Sequence, residues 1–103
     1  MVLSGYDRLM IVQRILPSKG GLLQQIVVRE IREMLTFKSE EFETFGLREE
    51  NGLLFWSEKI NTEQEYTLNA QHIEVLKRGV KALDKAEEID DAILNVALKI
   101  NRA

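Results

Sequence analysis

The side chains of this chain that could do chemistry are one histidine and a few adjacent carboxylates. His72 is the only imidazole in the sequence. A catalytic histidine needs an orienting carboxylate and a nucleophile or substrate proton within reach, and the residues around His72 supply no such set. A single histidine is also a poor basis for a metal site. We therefore interpret His72 as a structural residue, and we predict neither a metal nor a cofactor.

The carboxylates include four adjacent pairs: Glu40-Glu41, Glu49-Glu50, Glu87-Glu88 and Asp90-Asp91. Two neighbouring carboxylates can act as acid and base only where burial separates their pKa values. Most of these pairs stand at predicted helix starts or in turns, where acidic side chains favour the helix N-terminus or remain solvated. Gly20-Gly21 lacks the spacing and the preceding strand of a phosphate-binding loop. The sequence thus predicts a protein that is not an enzyme, and it indicates no small-molecule ligand.

The composition is that of one soluble domain. A chain of 103 residues suggests a single domain, and the lack of cysteine excludes disulfides, thiolate nucleophiles and cysteine-bound zinc. Asp7, Arg8 and Arg14 interrupt the apolar N-terminal stretch, so we expect no signal peptide. No apolar run approaches the ~20 residues that span a bilayer, so we also expect no membrane association.

The charge is concentrated in the middle third of the chain. Residues 36–68 carry eight acidic and three basic side chains, a net charge of −5. Residues 1–35 have a net charge of +2, and residues 69–103 have none. An acidic block of this kind is repelled by phosphate and attracted to basic protein surfaces. We therefore expect a protein partner or a homo-oligomer, and we do not expect a nucleic-acid partner.

Hydrophobic periodicity and capping residues predict five helices. They cover about 5–16, 22–35, 39–45, 69–86 and 90–100, with Ser4, Ser39, Asn69 and Asp90 as N-caps. Leu23, Val27, Ile31, Met34 and Leu35 are expected to form the buried face of the second helix, and Ile93, Val96, Ala97 and Ile100 that of the last. Gly79 lies inside the longest helix, where it would allow another helix to approach closely.

The middle third also predicts a small antiparallel sheet. Asn51-Gly52 is a strong hairpin signal between strands at 47–49 and 53–56. A lone hairpin is marginal in water, so it needs either a third strand at 64–68 or a covering helix. We therefore predict either a β-hairpin or a three-stranded sheet. The predicted fold is α+β and mostly helical, in one domain of residues 1–103. Its parts are an αα-hairpin (1–35), a short helix with a β-hairpin (36–68) and two C-terminal helices (69–103).

The order of helix, turn, helix, short helix and hairpin is also that of a winged helix. The recognition helix would be 39–45, and such helices present basic or amide side chains to DNA. Here its exposed positions are expected to be Glu40, Glu41 and Glu43. A fold of this kind that contacts protein rather than DNA is the favoured interpretation. A DNA-binding transcriptional regulator remains an alternative.

Three further residues are candidates for an interaction surface. Trp56 follows the hairpin and could fill the core or anchor an interface, where tryptophan is enriched. Leu94 and Leu98 lie beside the predicted buried face of the last helix and widen its apolar arc. With Glu40, Glu41 and Glu43 they form the predicted interaction surface. The helix at 89–100 is the candidate for packing across a dimer interface.

The stretches LSGYDRLMIVQRILP, IREMLTFKSEE and GLLFW, followed by a helix that ends near LDKAEEI, resemble small uncharacterised proteins of tailed bacteriophages and prophages. The resemblance extends from Leu3 to about Leu98. It implies a phage or prophage origin and a location in the host cytoplasm, and it brings no activity to assign to individual residues. The expected function is non-enzymatic, through protein–protein interaction or self-association. An acidic inhibitor of a basic host protein is a further alternative.

Overall fold

The computed structural model describes residues 1–103 as an α+β fold that is mostly helical, as the sequence predicts. The helices are α1 (Gly5–Met10), α2 (Leu22–Leu35), α3 (Ser39–Thr44), α4 (Ala70–Lys85) and α5 (Asp91–Arg102). The strands are β1 (Val2–Ser4), β2 (Arg48–Glu50), β3 (Leu53–Phe55) and β4 (Glu63–Glu65). A π-helical segment, Ile11–Ile15, continues α1, and a 3₁₀ turn covers Glu58–Asn61.

The first helix begins and ends as its sequence predicts. Asp7 N donates to Ser4 Oγ at 3.0 Å, and Ser4 N donates to Asp7 Oδ2 at 2.9 Å, which completes a capping box. The π-helical segment ends at a hydrogen bond from Leu16 N to Ile11 O of 2.9 Å. Leu16 is extended, with ψ of 128°, because the following Pro17 disfavours helical geometry there.

Of the two predicted forms of the sheet, the structure has the β-hairpin and not the three-stranded sheet. Asn51 and Gly52 have φ values of 54° and 79°, as a type I′ turn requires, and they join β2 to β3. Strand β4 (Glu63–Glu65) does not join the hairpin but pairs with β1 in a separate sheet. The buried Ile60 holds the 3₁₀ turn against the core and carries the chain away from the hairpin. The hairpin is therefore a two-stranded ribbon with no third strand beside it.

Two of the predicted N-caps make different contacts. Ser39 is the first residue of α3, and Lys38 occupies the N-cap position. Lys38 N donates to Glu41 Oε1 at 2.9 Å, so this carboxylate does the capping. Asp90 does stand at the N-cap of α5, but its side chain makes no cap hydrogen bond. Its oxygens instead accept two hydrogen bonds from Arg14 Nη1, each of 2.9 Å, because that guanidinium lies within reach.

The prediction of the buried face is confirmed for α5 and is partly wrong for α2. Ile93, Val96, Ala97 and Ile100 are all buried. On α2 the buried residues are Val28, Ile31 and Leu35, whereas Leu23 is 78% exposed. In the first two turns of α2 the half-buried residues are Gln24, Gln25 and Val27, and Leu23 lies on the side of the helix that faces away from the core.

Gly79 allows the close approach that the sequence predicts. A Cβ atom placed on Gly79 would lie 2.2 Å from Ile15 O, at the π-helical end of the first helix. Real Cβ atoms do not come so close to a carbonyl oxygen, so only glycine fits here. This contact brings α4 against the first helix, and Val75, Leu76 and Val80 of α4 are buried around it.

Candidate interaction surfaces

The three glutamates of α3 have different environments. Glu40 and Glu43 are exposed, but Glu41 turns inward and forms a bidentate ion pair with Arg8. Arg8 Nη1 lies 2.5 Å from Glu41 Oε2, and Nη2 lies 3.0 Å from Oε1. The interpretation of Glu41 as a free surface carboxylate is therefore wrong, since its charge is committed to the fold.

Arg8 is a buried cation whose surroundings explain this inward turn. Its side chain is only 4% exposed. Nε donates to Leu35 O at 3.1 Å and Nη2 donates to Thr36 O at 3.3 Å, where the last carbonyls of α2 lack helical partners. The guanidinium also lies over the rings of Phe37 and Tyr66, at 4.5 and 5.5 Å from their centroids. An arginine directly before the apolar run Leu9–Val12 was the only sequence signal of this site.

The pKa values of the pair move in the directions that stabilise both charges. The hydrogen bond from Arg8 lowers the pKa of Glu41, and the bond from Lys38 N adds to this, although burial opposes it. Burial has the largest single effect on Arg8 and would lower its pKa, but the hydrogen bonds and electrostatic interactions with Glu41 and Tyr66 together outweigh it and raise that pKa. Both groups are therefore charged in the folded protein at neutral pH.

We expect Glu41 to make stability depend on acid pH. Its pKa is lower in the folded chain than its ordinary value of 4.5, so the unfolded chain binds its proton first and stability falls as pH falls. The difference in unfolding free energy between the unmodified chain and Glu41→Gln should be constant above pH 4.5 and shrink below it. Urea titrations at several pH values measure this, with Glu43→Gln as the control. A difference that does not change with pH would contradict the ion pair.

A second ionic cluster lies between the first helix and α5. Lys99 Nζ lies 2.6 Å from Oδ2 of the buried Asp7 and 2.9 Å from Glu63 Oε2. Burial would lower the pKa of Lys99, but the hydrogen bonds and opposite charges of Asp7 and Glu63 together outweigh it and raise that pKa. The three residues line a cleft of about 530 Å³. Through these pairs, Lys99 joins α5 to Asp7 of α1 and to Glu63 of β4.

His72 has the structural environment that the sequence suggests. It is buried, and its Nδ1 accepts from Asn69 N at 3.2 Å while His72 N donates to Asn69 Oδ1 at 2.8 Å. Its Nε2 lies 3.1 Å from Glu30 Oε1. The imidazole thus caps α4 and connects it to α2, and both of its nitrogens are engaged in these contacts.

Trp56, Leu94 and Leu98 are partly exposed, and the structure does not gather them with the glutamates. The Trp56 indole packs on Tyr6, with ring centroids 5.8 Å apart. Leu94 and Leu98 lie on α5 beside a shallow depression shared with α4. Leu98 and Tyr6 also line the cleft described above. The six predicted residues therefore occupy at least two separate regions rather than one surface.

The sequence did not reveal an apolar groove of about 230 Å³ between the first helix, the end of α2, α3 and the hairpin. We call it the apolar groove, and its lining residues are Leu9, Val12, Gln13, Leu35, Thr36, Phe37, Phe42, Leu47 and Leu54. Phe42 and Phe45 stand three positions apart in the sequence but differ in burial. Phe45 is buried, but Phe42 is 49% exposed because it forms a wall of the groove.

A second apolar surface lies at the start of α2. Leu22, Leu23 and Ile26 are 79%, 78% and 47% exposed. We call these three residues the α2 patch. Ile26 follows the two leucines by four and three positions, so all three share one side of the helix. Sequence periodicity assigned Leu23 to the core, but Leu23 lies on the side of α2 away from the buried Val28, Ile31 and Leu35.

No protein-family model, curated protein or solved structure matches this chain. None of its helices combines the length and apolar composition needed to cross a membrane. No three histidine or carboxylate side chains cluster as metal ligands would.

Proposed function

We propose that this chain is a non-enzymatic phage or prophage protein that acts in the host cytoplasm through contacts with proteins, including a second copy of itself. The observation that carries the proposal is the α2 patch. Two adjacent leucines that are nearly four-fifths exposed lie on a helix whose other face is in the core. Contiguous exposed apolar side chains are typical of protein interaction sites.

The charges around the α2 patch suit a contact between identical copies. Lys19 and Glu33 stand seven positions before and after Ile26, both are exposed, and neither forms an ion pair within the chain. A two-fold contact is self-complementary. Two antiparallel α2 helices centred on Ile26 would therefore bring Lys19 of each copy towards Glu33 of the other. Such a pairing would cover the leucines and match opposite charges at both ends.

Sedimentation of matched variants tests this proposal. We expect the unmodified chain to show a mass above 11.9 kDa that rises with concentration. The double variant L22S/L23S should sediment at the monomer mass, because it replaces the apolar contact with hydroxyl groups on an exposed helix turn. The matched control L94S/L98S removes two exposed leucines from α5 and should still associate. A monomer mass for the unmodified chain at every concentration would contradict self-association.

A further inference from the structure

The apolar groove has an acidic rim on the side of α3 and the hairpin. Glu43 follows Phe42 by one step around α3, on the side away from the core-facing Phe45. Glu49 stands directly opposite Leu54 in the hairpin, so both side chains project from the same face. Glu43 therefore lies beside the groove wall formed by Phe42, and Glu49 lies beside the wall formed by Leu54.

These two carboxylates are available for a partner. Both are exposed, and neither Glu43 nor Glu49 has an ion-pair partner within the chain. Three cations on the elements that frame the groove are already paired: Arg8 with Glu41, Arg14 with Asp90 and Arg48 with Glu50. Arg32 is exposed one turn before the groove residue Thr36, so the α2 side of the groove carries a cation. The acidic rim is therefore confined to the side of α3 and the hairpin.

We propose that the apolar groove binds a basic amphipathic helix of another protein. A volume of about 230 Å³ suits one or two apolar anchor side chains, and a deep anchor surrounded by polar contacts is the usual form of an interface hot spot. A helix places such anchors on one face and can carry lysine or arginine on both flanks. The flanking cations would pair with Glu43 and Glu49, as the net charge of −5 over residues 36–68 favours.

This proposal rests on the proposed function, in that the chain acts through protein contacts, but it uses a surface separate from the α2 patch. The two can therefore fail independently. The L22S/L23S variant, which should not self-associate, is expected to bind the basic helix as well as the unmodified chain does. Peptide binding lost in L22S/L23S would place the contact on α2 and overturn the groove proposal.

The probe is a fluorescent peptide of about 18 residues, or five helical turns, with leucine at helical spacing and lysine elsewhere. Its control has the same leucines with glutamate in place of lysine. We expect the leucine–lysine peptide to bind and to shift the methyl NMR signals of Leu9, Val12, Leu47 and Leu54. Equal binding of the leucine–glutamate peptide, or shifts confined to other methyl groups, would overturn the proposal.

Two variants and a matched control separate the groove from general charge attraction. F42S removes a half-exposed groove wall, and E43K/E49K reverses the rim. Each variant should weaken binding of the leucine–lysine peptide about tenfold or more, which is equivalent to about 1.4 kcal/mol of binding free energy. E58K/D84K makes the same change in net charge at exposed positions that do not line the groove, and it should weaken binding far less. Equal weakening by E43K/E49K and E58K/D84K would show general attraction only and overturn the proposal.

Discussion

Replacing Glu41 with alanine is expected to lower the free energy of unfolding by about 3 kcal/mol, because it leaves the buried Arg8 guanidinium without its counter-ion. Domains are stable by only about 5–15 kcal/mol, so this is a large fraction of the total. Glu40→Ala and Glu43→Ala are the matched controls, since they remove the same side chain from the same short helix. Each should change stability by no more than about 0.5 kcal/mol. Urea unfolding followed by the fluorescence of Trp56 measures all three.

A double variant shows whether the loss comes from the unpaired charge. Arg8→Met replaces the buried guanidinium with an apolar side chain of similar length, and Glu41→Gln removes the opposite charge. Replacing both partners of a buried ion pair costs less than breaking it. The combined variant should therefore be more stable than the sum of the single changes predicts. If Glu40→Ala, Glu41→Ala and Glu43→Ala lower the free energy of unfolding equally, the assignment of Glu41 to the core is contradicted.

This result also decides which glutamates can be used to study binding. Changing Glu40, Glu41 and Glu43 together to lysine is expected to destabilise the domain, because a lysine in place of Glu41 would put a second cation beside Arg8. A loss of binding in a triple variant would then report unfolding. Charge-reversal experiments on α3 therefore have to be limited to Glu40 and Glu43.

Replacing Gly79 with alanine is expected to destabilise the chain by about 2–3 kcal/mol, although alanine is the better helix former. Alanine gains up to about 1 kcal/mol of helix propensity over glycine. Against this, its Cβ would stand 2.2 Å from Ile15 O, and relieving that overlap requires a shift of two packed backbones. Overpacking of this kind costs about 1–3 kcal/mol and more where backbone must move.

The control for Gly79→Ala is Gly21→Ala. A Cβ on Gly21 would have no atom within 4 Å, and its φ of −65° suits any residue. We expect Gly21→Ala to change stability by less than about 1 kcal/mol, since a weaker N-cap and a stiffer unfolded chain act in opposite directions. Urea midpoints for the two variants provide the comparison. A Gly79→Ala variant as stable as the unmodified chain would show that α4 does not press on Ile15.

The sequence predicted the features that neighbouring residues determine. The limits of α2 follow from local periodicity, and the Asn51-Gly52 turn follows from the φ values that those two residues tolerate. The N-caps Ser4 and Asn69 were predicted, and each accepts a hydrogen bond from the backbone N–H three residues later. The core face of α5 follows from its repeat of apolar residues. In each case the partner lies within about one helical turn, so the sequence contains the signal.

The features that could not be predicted from the sequence join residues that lie far apart in the chain. Strand β4 pairs with β1 across about sixty residues, and three-residue strands are too short to show a period of two. Arg8 and Glu41 belong to different helices, and nothing near either one indicates the other. The apolar groove takes its lining from the first helix, α2, α3 and the hairpin. Its existence depends on how those elements pack, which neither composition nor periodicity contains.

The exposed start of α2 is the basis of the proposed function, and methyl NMR during dilution tests it most directly. If two copies associate through the α2 patch, the methyl signals of Leu22, Leu23 and Ile26 should shift and broaden as concentration rises. The signals of the buried Ile93 and Ile100 should stay unchanged and serve as the reference. Constant signals from the α2 patch in the concentration range where the mass rises would contradict the account, because association would then use a different surface.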